Sequence, residues 1–256
     1  VINTPVQPLN AQERKAVRLR IEVMTTASEL PWPRVLAPGR GLAYNLLAAT
    51  ADELAQQLHS AGWGPFGMVP FGYCPPTFPR ARRRSGTYAV GGTGFVELGS
   101  PLPSVIHAWI AALQHRDVID WGGVALHVTG LSMMEPPEFD SGRARMRTET
   151  PVVLKVPPSS QLPGQTWLLP AEPQFPEMFN NNLIRKAQTL GLHPDIELDE
   201  IMWVGPKRSF AVGRGAKPGA AVEVVLSGAP ETLRALWSWG LGQANSAGFG
   251  WIGTFR

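Results

Sequence analysis

The chain has 256 residues, enough for one large domain or two of ordinary size, and 44% hydrophobic against 17% charged residues excludes disorder as its default state. The formal charge is only +3, yet 18 of the 23 cationic side chains are arginine; the planar guanidinium suits phosphates and bases, though a GC-rich genome produces the same bias. A single cysteine, Cys74, excludes an intramolecular disulfide and a cysteine zinc cluster, and the absence of an apolar leader or a run of about 18 apolar residues predicts a cytoplasmic protein. In chain order, residues 17–26 alternate Val17, Leu19, Ile21 and Val23 with charged residues and predict a half-buried strand. Apolar residues at helical spacing follow over 41–49 and 52–61, the second helix closed by Gly62. Strand character returns at 66–73, and a strand pair is expected within 87–98 around Gly91 and Gly92. A helix to about His115 starts with Ser100 as N-cap and Pro101 at its first position, and a strand follows at 124–131. This order is a βαββαβ unit.

From about Thr150 the pattern begins again. A strand at 151–156, a Pro- and Ser-rich loop, a helix over 175–190, strand material over 197–212, a strand at 222–226, a helix over 230–239 and a closing strand at 249–255 repeat the first topology. The predicted fold is therefore α+β, two tandem ferredoxin-like domains spanning residues 1–149 and 150–256.

Gly240, Gly242, Gly248 and Gly250, with Asn245 and Ser246 between them, form the most distinctive segment. Such a loop either cradles an anion with its backbone amides or makes a sharp helix-to-strand connection without a ligand. It is neither a dinucleotide fingerprint, because it follows a helix and lacks the third glycine, nor a Walker loop. The five histidines, His59, His107, His115, His127 and His193, show no zinc spacing, so neither metal nor cofactor is expected. His59 stands in the last turn of a predicted helix, where it either caps the helix or serves in proton transfer. Trp237 and Trp239 read as core or interface residues.

The glycine-rich segment resembles the C-terminal signature of the repeat-associated RNA-binding superfamily, and specifically the sixth family of CRISPR-associated proteins, which process the precursor guide transcript. The segments 41–46, containing Tyr44, 58–60, containing His59, 150–153, 179–186 and 206–208, with Lys207 and Arg208, agree with it in order. The resemblance covers nearly the whole chain from Val17 to Phe255 and implies the tandem ferredoxin-like fold. It also implies metal-independent endoribonuclease action on CRISPR repeat RNA, by 2′-hydroxyl attack leaving a cyclic phosphate and a 5′-hydroxyl, possible partnership with a guide-RNA surveillance complex, and His59 and Tyr44 as catalytic residues. Many relatives carry a lysine shortly after the histidine, whereas residues 60–73 contain no cation. Arg40, or the cluster Arg80, Arg82, Arg83 and Arg84, is the expected substitute; the alternative is an RNA-binding subunit with weak or no catalysis. RNA contacts are further expected from Arg143, Arg145 and Arg147, which alternate along one strand face, from Lys207 and Arg208, and from the glycine-rich loop at Gly240, Gly242, Asn245, Ser246, Gly248 and Gly250.

Overall fold

The computed structural model describes residues 17–83, 85–156, 166–212 and 215–253. Its N-terminal unit runs β1 (Val17–Thr25), β2 (Glu29–Leu30), α1 (Ala37–Thr50), α2 (Asp52–Ser60), β3 (Gly72–Tyr73), β4 (Tyr88–Ala89), β5 (Gly92–Ser100), α3 (Pro103–Leu113), β6 (Val118–Trp121) and β7 (Val124–Met134). The sheet order is β3-β5-β1-β7-β6, which is the ferredoxin-like arrangement with β6 added at one edge. Leu19, Ile21 and Val23 of β1 are buried with Leu42, Leu46 and Leu47 of α1 and with Val105, Ile106 and Trp109 of α3. Arg18 and Arg20 therefore fall on the opposite face of the strand.

The C-terminal unit comprises β8 (Arg143–Arg147), β9 (Leu154–Val156), β10 (Thr166–Leu168), α4 (Phe175–Thr189), β11 (Glu197–Val204), β12 (Arg208–Val212), β13 (Gly215–Gly219), β14 (Val222–Ser227) and α5 (Pro230–Trp239). Its sheet has the order β11-β14-β8, with β9–β10 and β12–β13 as separate ribbons. The fourth strand of the motif is reduced to the bridge between Thr148 and Ile252, flanked by Glu149 N–H donating to Trp251 O and Gly253 N–H to Arg147 O. No helix among the described residues is long and apolar enough to cross a membrane.

Several expected boundaries move. β8 hydrogen-bonds to β14, so the strand just before the expected seam at 149/150 belongs with the second sheet; the expected first strand at 151–156 forms β9, in a ribbon with β10. Glycines 91 and 92 do not join a hairpin, because β4 pairs with β2 and β5 with β1. Pro103 rather than Pro101 opens α3, while Ser100 ends β5, donates its hydroxyl to Pro70 O and accepts from Leu102 N–H. The expected closing strand is the single bridge at Ile252, and residues 254–256 lie outside the described residues.

The units join through the end of α5. Gly72 and Gly99 face each other in the β3–β5 ladder, and a Cβ there would lie 2.4 Å from Trp239 O and 2.2 Å from Ser238 O respectively. Only glycine permits so close a backbone approach. Trp237 and Trp239 are buried at this junction, as interface residues. Fully buried Arg18 lies between the Trp237 and Trp251 rings, 4.1 and 3.9 Å from their centroids. It donates through Nε to Trp237 O at 3.0 Å and through Nη1 to Ile252 O at 2.6 Å. Burial pulls its pKa down to about 10 against the opposing attraction of Glu97, so it remains cationic at neutral pH.

Candidate active site and nucleic-acid interface

Arg40 and Tyr44 stand four residues apart on α1 and so share one helix face. The last turn of α2 brings His59 edge-on to Tyr44, with ring centroids 5.3 Å apart. The phenol is anchored from behind: its hydroxyl donates to Leu58 O at 3.3 Å, and its ring meets Phe71, which in turn meets Trp109. The Arg40 guanidinium carbon lies 5.6 Å from the Tyr44 centroid. Burial raises the Tyr44 pKa while Arg40 opposes the shift, so the side chain is a neutral phenol at pH 7 and can donate a proton or a hydrogen bond. His59 is exposed. The second helix ends where Ala61 and Gly62 N–H both donate to Gln57 O, with Gly62 at φ 72°, as its sequence signal predicted.

The second unit adds two further cations, Lys155 and Lys217. Lys217 of β13 is half-buried, with its Nζ 5.0 Å from the Trp167 centroid, and its pKa is lowered by burial and by the neighbouring charges of Lys155 and Arg40. Sequence reading missed both lysines, because strands about sixty residues apart carry them with no motif around either. The fold thus brings cations of α1 and β9 within electrostatic reach of Lys217 on β13. Among the described residues, no three His, Cys, Asp or Glu side chains gather as a metal site requires.

The glycine-rich loop is packed into the interior. Gly240, Gly242, Gly248 and Gly250 are buried and adopt positive φ; the N–H of Gly240 donates to Leu236 O, that of Gly248 to Asn245 O and that of Gly250 to Pro151 O. At Gly250 an added Cβ would lie 1.8 Å from Leu241 O. Buried Asn245 donates through Nδ2 to Leu241 O and Phe249 O, and its Oδ1 accepts from Lys186 Nζ at 2.6 Å. Lys186, fully buried on α4, also donates to Gly240 O at 2.7 Å and lies 4.2 Å from the Trp239 centroid. The N–H groups of Gly240, Gly248 and Gly250 and the amide of Asn245 are thus engaged in internal bonds, and Ser246 is half-buried. The short turn 245–247 rests on β3 and α1, so the loop braces the helix that carries Arg40 and Tyr44. Asn245→Ala is expected to lower stability by ~1–3 kcal/mol, since it strips partners from Lys186 and from two carbonyls; a urea melt measures this.

The open faces of the two sheets border a cleft of about 990 Å³, into which Arg20, Arg145, Arg147 and Arg208 project beside Trp32 and Trp203. Arg143, Arg145 and Arg147 share one exposed face of β8, as predicted, while Ala144 and Met146 are buried. Each has a carboxylate partner: Arg143 bonds Asp199 at 3.1 Å, and Arg145 and Arg147 both bond Glu223. Arg20 bonds Glu97 at 2.5 Å. Much of the cleft's positive charge is thus compensated locally. Arg80, Arg82 and Arg83 are exposed, Arg84 lies outside the described residues, and Lys207 and Arg208 are exposed where β12 begins.

This architecture defines the class: two tandem ferredoxin-like units braced by a buried glycine-rich loop. Residues 134–253 match the family model described as CRISPR associated protein Cas6, C-terminal. The chain is similar in fold to a solved "CRISPR associated protein Cas6" at 19% identity and TM-score 0.75, covering 94% of this chain and 100% of that one. It is also similar to a RAMP protein described as binding different RNA substrates, at 14% identity and TM-score 0.78 with 94% and 100% coverage. A Thermus thermophilus Cas6 product complex aligns at 18% identity and TM-score 0.65, covering 93% and 98%. No curated protein matches by sequence. The family match thus covers residues 134–253, while the likeness of fold extends over nearly the whole chain.

Proposed function

We propose that this chain binds CRISPR repeat RNA and cuts it without a metal cofactor. The observation that carries the reading is the meeting of Arg40, Tyr44 and His59 on one surface of α1 and α2. In the proposed step the ribose 2′-hydroxyl loses its proton to a base and attacks the adjacent phosphorus. The P–O5′ bond breaks, the leaving oxygen takes a proton, and the products carry a 2′,3′-cyclic phosphate and a 5′-hydroxyl. His59, exposed and free to rotate toward a strand laid over α1, serves as the proton-transfer group. Tyr44, its hydroxyl turned from Leu58 O, donates to the reacting phosphate, and Arg40, with Lys217 near it, opposes the charge that builds on the phosphorane. The similarity to a Cas6 solved with its product and to a RAMP protein that binds RNA supports this reading. The test is incubation of the chain with its repeat RNA in excess EDTA. Cut RNA ending in a cyclic phosphate is expected; binding without cutting would instead favour the non-catalytic subunit, to which the lack of a cation in residues 60–73 points.

A further inference from the structure

We infer that a second pocket beside the cleft takes one unpaired nucleobase of the bound RNA, with Trp32 as its stacking face and Arg83 and Arg208 as phosphate contacts. The inference rests on the RNA-binding reading and adds where a single base is held. The pocket measures about 660 Å³ and is bordered by Trp32, Phe78, Arg83, Thr87, Tyr88 and Arg208. Trp32, Tyr88 and Arg208 also line the large cleft, so the two spaces adjoin.

Three independent observations converge on it. Trp32 is 39% exposed yet held firmly: it opens a short 3-10 turn between Pro31 and Pro33, meets the Tyr88 ring edge-on at 5.6 Å and lies 6.3 Å from Phe210. Trp109, Trp121, Trp239 and Trp251 are buried and donate their indole N–H groups, whereas that of Trp32 has no partner among the described residues. A rigid, exposed indole is a ready stacking surface, because its ordering precedes binding.

The second observation is charge. Among the described residues Arg83 and Arg208 form no ion pair with a carboxylate, in contrast to Arg20, Arg145 and Arg147 in the cleft. They come from different units and border the same pocket, so an anion between them would be held from two sides. The third is Thr87, whose Oγ1 is buried in the pocket's surroundings without a hydrogen-bond partner among the described residues. A base edge, which carries both donors and acceptors, can satisfy such a hydroxyl. A flat apolar face with unpaired guanidinium groups beside it matches a nucleotide of single-stranded RNA, whereas a base within a duplex is already stacked on both sides.

The test uses the repeat RNA of the genome that encodes the chain, 2′-O-methylated so that it cannot be cut, with an abasic site moved one nucleotide at a time. Its Kd is measured for the wild type, Trp32→Ala and Trp32→Phe, each checked for folding by circular dichroism. A single abasic position is expected to weaken wild-type binding by about 10- to 100-fold. Trp32→Ala is expected to weaken binding of the intact RNA by a similar factor and to lose nothing more at that position, the signature of a shared contact; Trp32→Phe is expected to retain most of the affinity. Equal sensitivity at every abasic position, or a Trp32→Ala protein that binds intact RNA as well as the wild type, overturns the subsite alone. Failure of the wild type to bind any repeat RNA overturns the RNA reading itself. Should Trp32→Ala not fold, the wild-type abasic scan and Trp32→Phe decide.

Discussion

Replacing His59 with alanine is expected to slow repeat cleavage by about 10²- to 10⁴-fold, equivalent to ~3–5 kcal/mol of barrier, while Kd for the RNA changes by less than about threefold. The separation of effects follows from how the side chain sits. It is exposed in the last turn of α2, and its one ring contact among the described residues is the edge-on approach to Tyr44. Tyr44 keeps its bond to Leu58 O and its packing on Phe71 when the imidazole is removed, so the surface that meets RNA survives. What goes is the group that exchanges protons with the ribose and the leaving oxygen. Single-turnover cleavage and filter binding on the same preparation measure both quantities. Cleavage at the wild-type rate would remove His59 from the mechanism.

Much of the fold was legible in the sequence, for local reasons. The alternation of Leu19, Ile21 and Val23 marks β1 because one face of that strand is buried, and Pro230 with Gly240 brackets α5 because proline suits a first helical turn and glycine a sharp exit. β6 escaped notice because its four residues carry too short a pattern to stand out. The alternating arginines of β8 reveal a face but not which sheet the strand joins, since pairing with β14 is a choice made about eighty residues away. The glycine loop was visible as a loop, while its bond to Lys186 was not: that residue lies 54 positions earlier, on a helix whose remaining pattern is ordinary. The nearness of Tyr44 and His59 was expected from resemblance alone, and the influence of Arg40 and Lys155 on Lys217 could be seen only in three dimensions.

Arg18→Ala is expected to cost ~3–5 kcal/mol of stability, seen as a drop of roughly 10 °C in thermal midpoint. Three losses combine. The Trp237 and Ile252 carbonyls lose their donor in a buried setting, the space between two indole rings empties, and the two-sided cation–π contact disappears. Glu97 keeps Arg20 and the Trp251 indole N–H, so the damage centres on the interface rather than on that carboxylate. Arg18→Lys is expected to recover only part of the loss, since an ammonium can reach one carbonyl but cannot lie flat between two rings. A calorimetric scan of both variants checks this; an alanine variant within about 1 kcal/mol of wild type would show that the junction holds without the guanidinium.

The same contacts bear on how the polypeptide comes to be made. Arg18 waits for carbonyls that lie 219 and 234 positions later. At ~5–20 residues per second a ribosome needs roughly ten to fifty seconds to supply them, and through that interval the nascent first sheet carries a bare guanidinium where a tryptophan sandwich will form. Maturation is therefore concerted rather than vectorial: the earliest strand emerged from the exit tunnel reaches its final state only after the last helix has arrived to cover it.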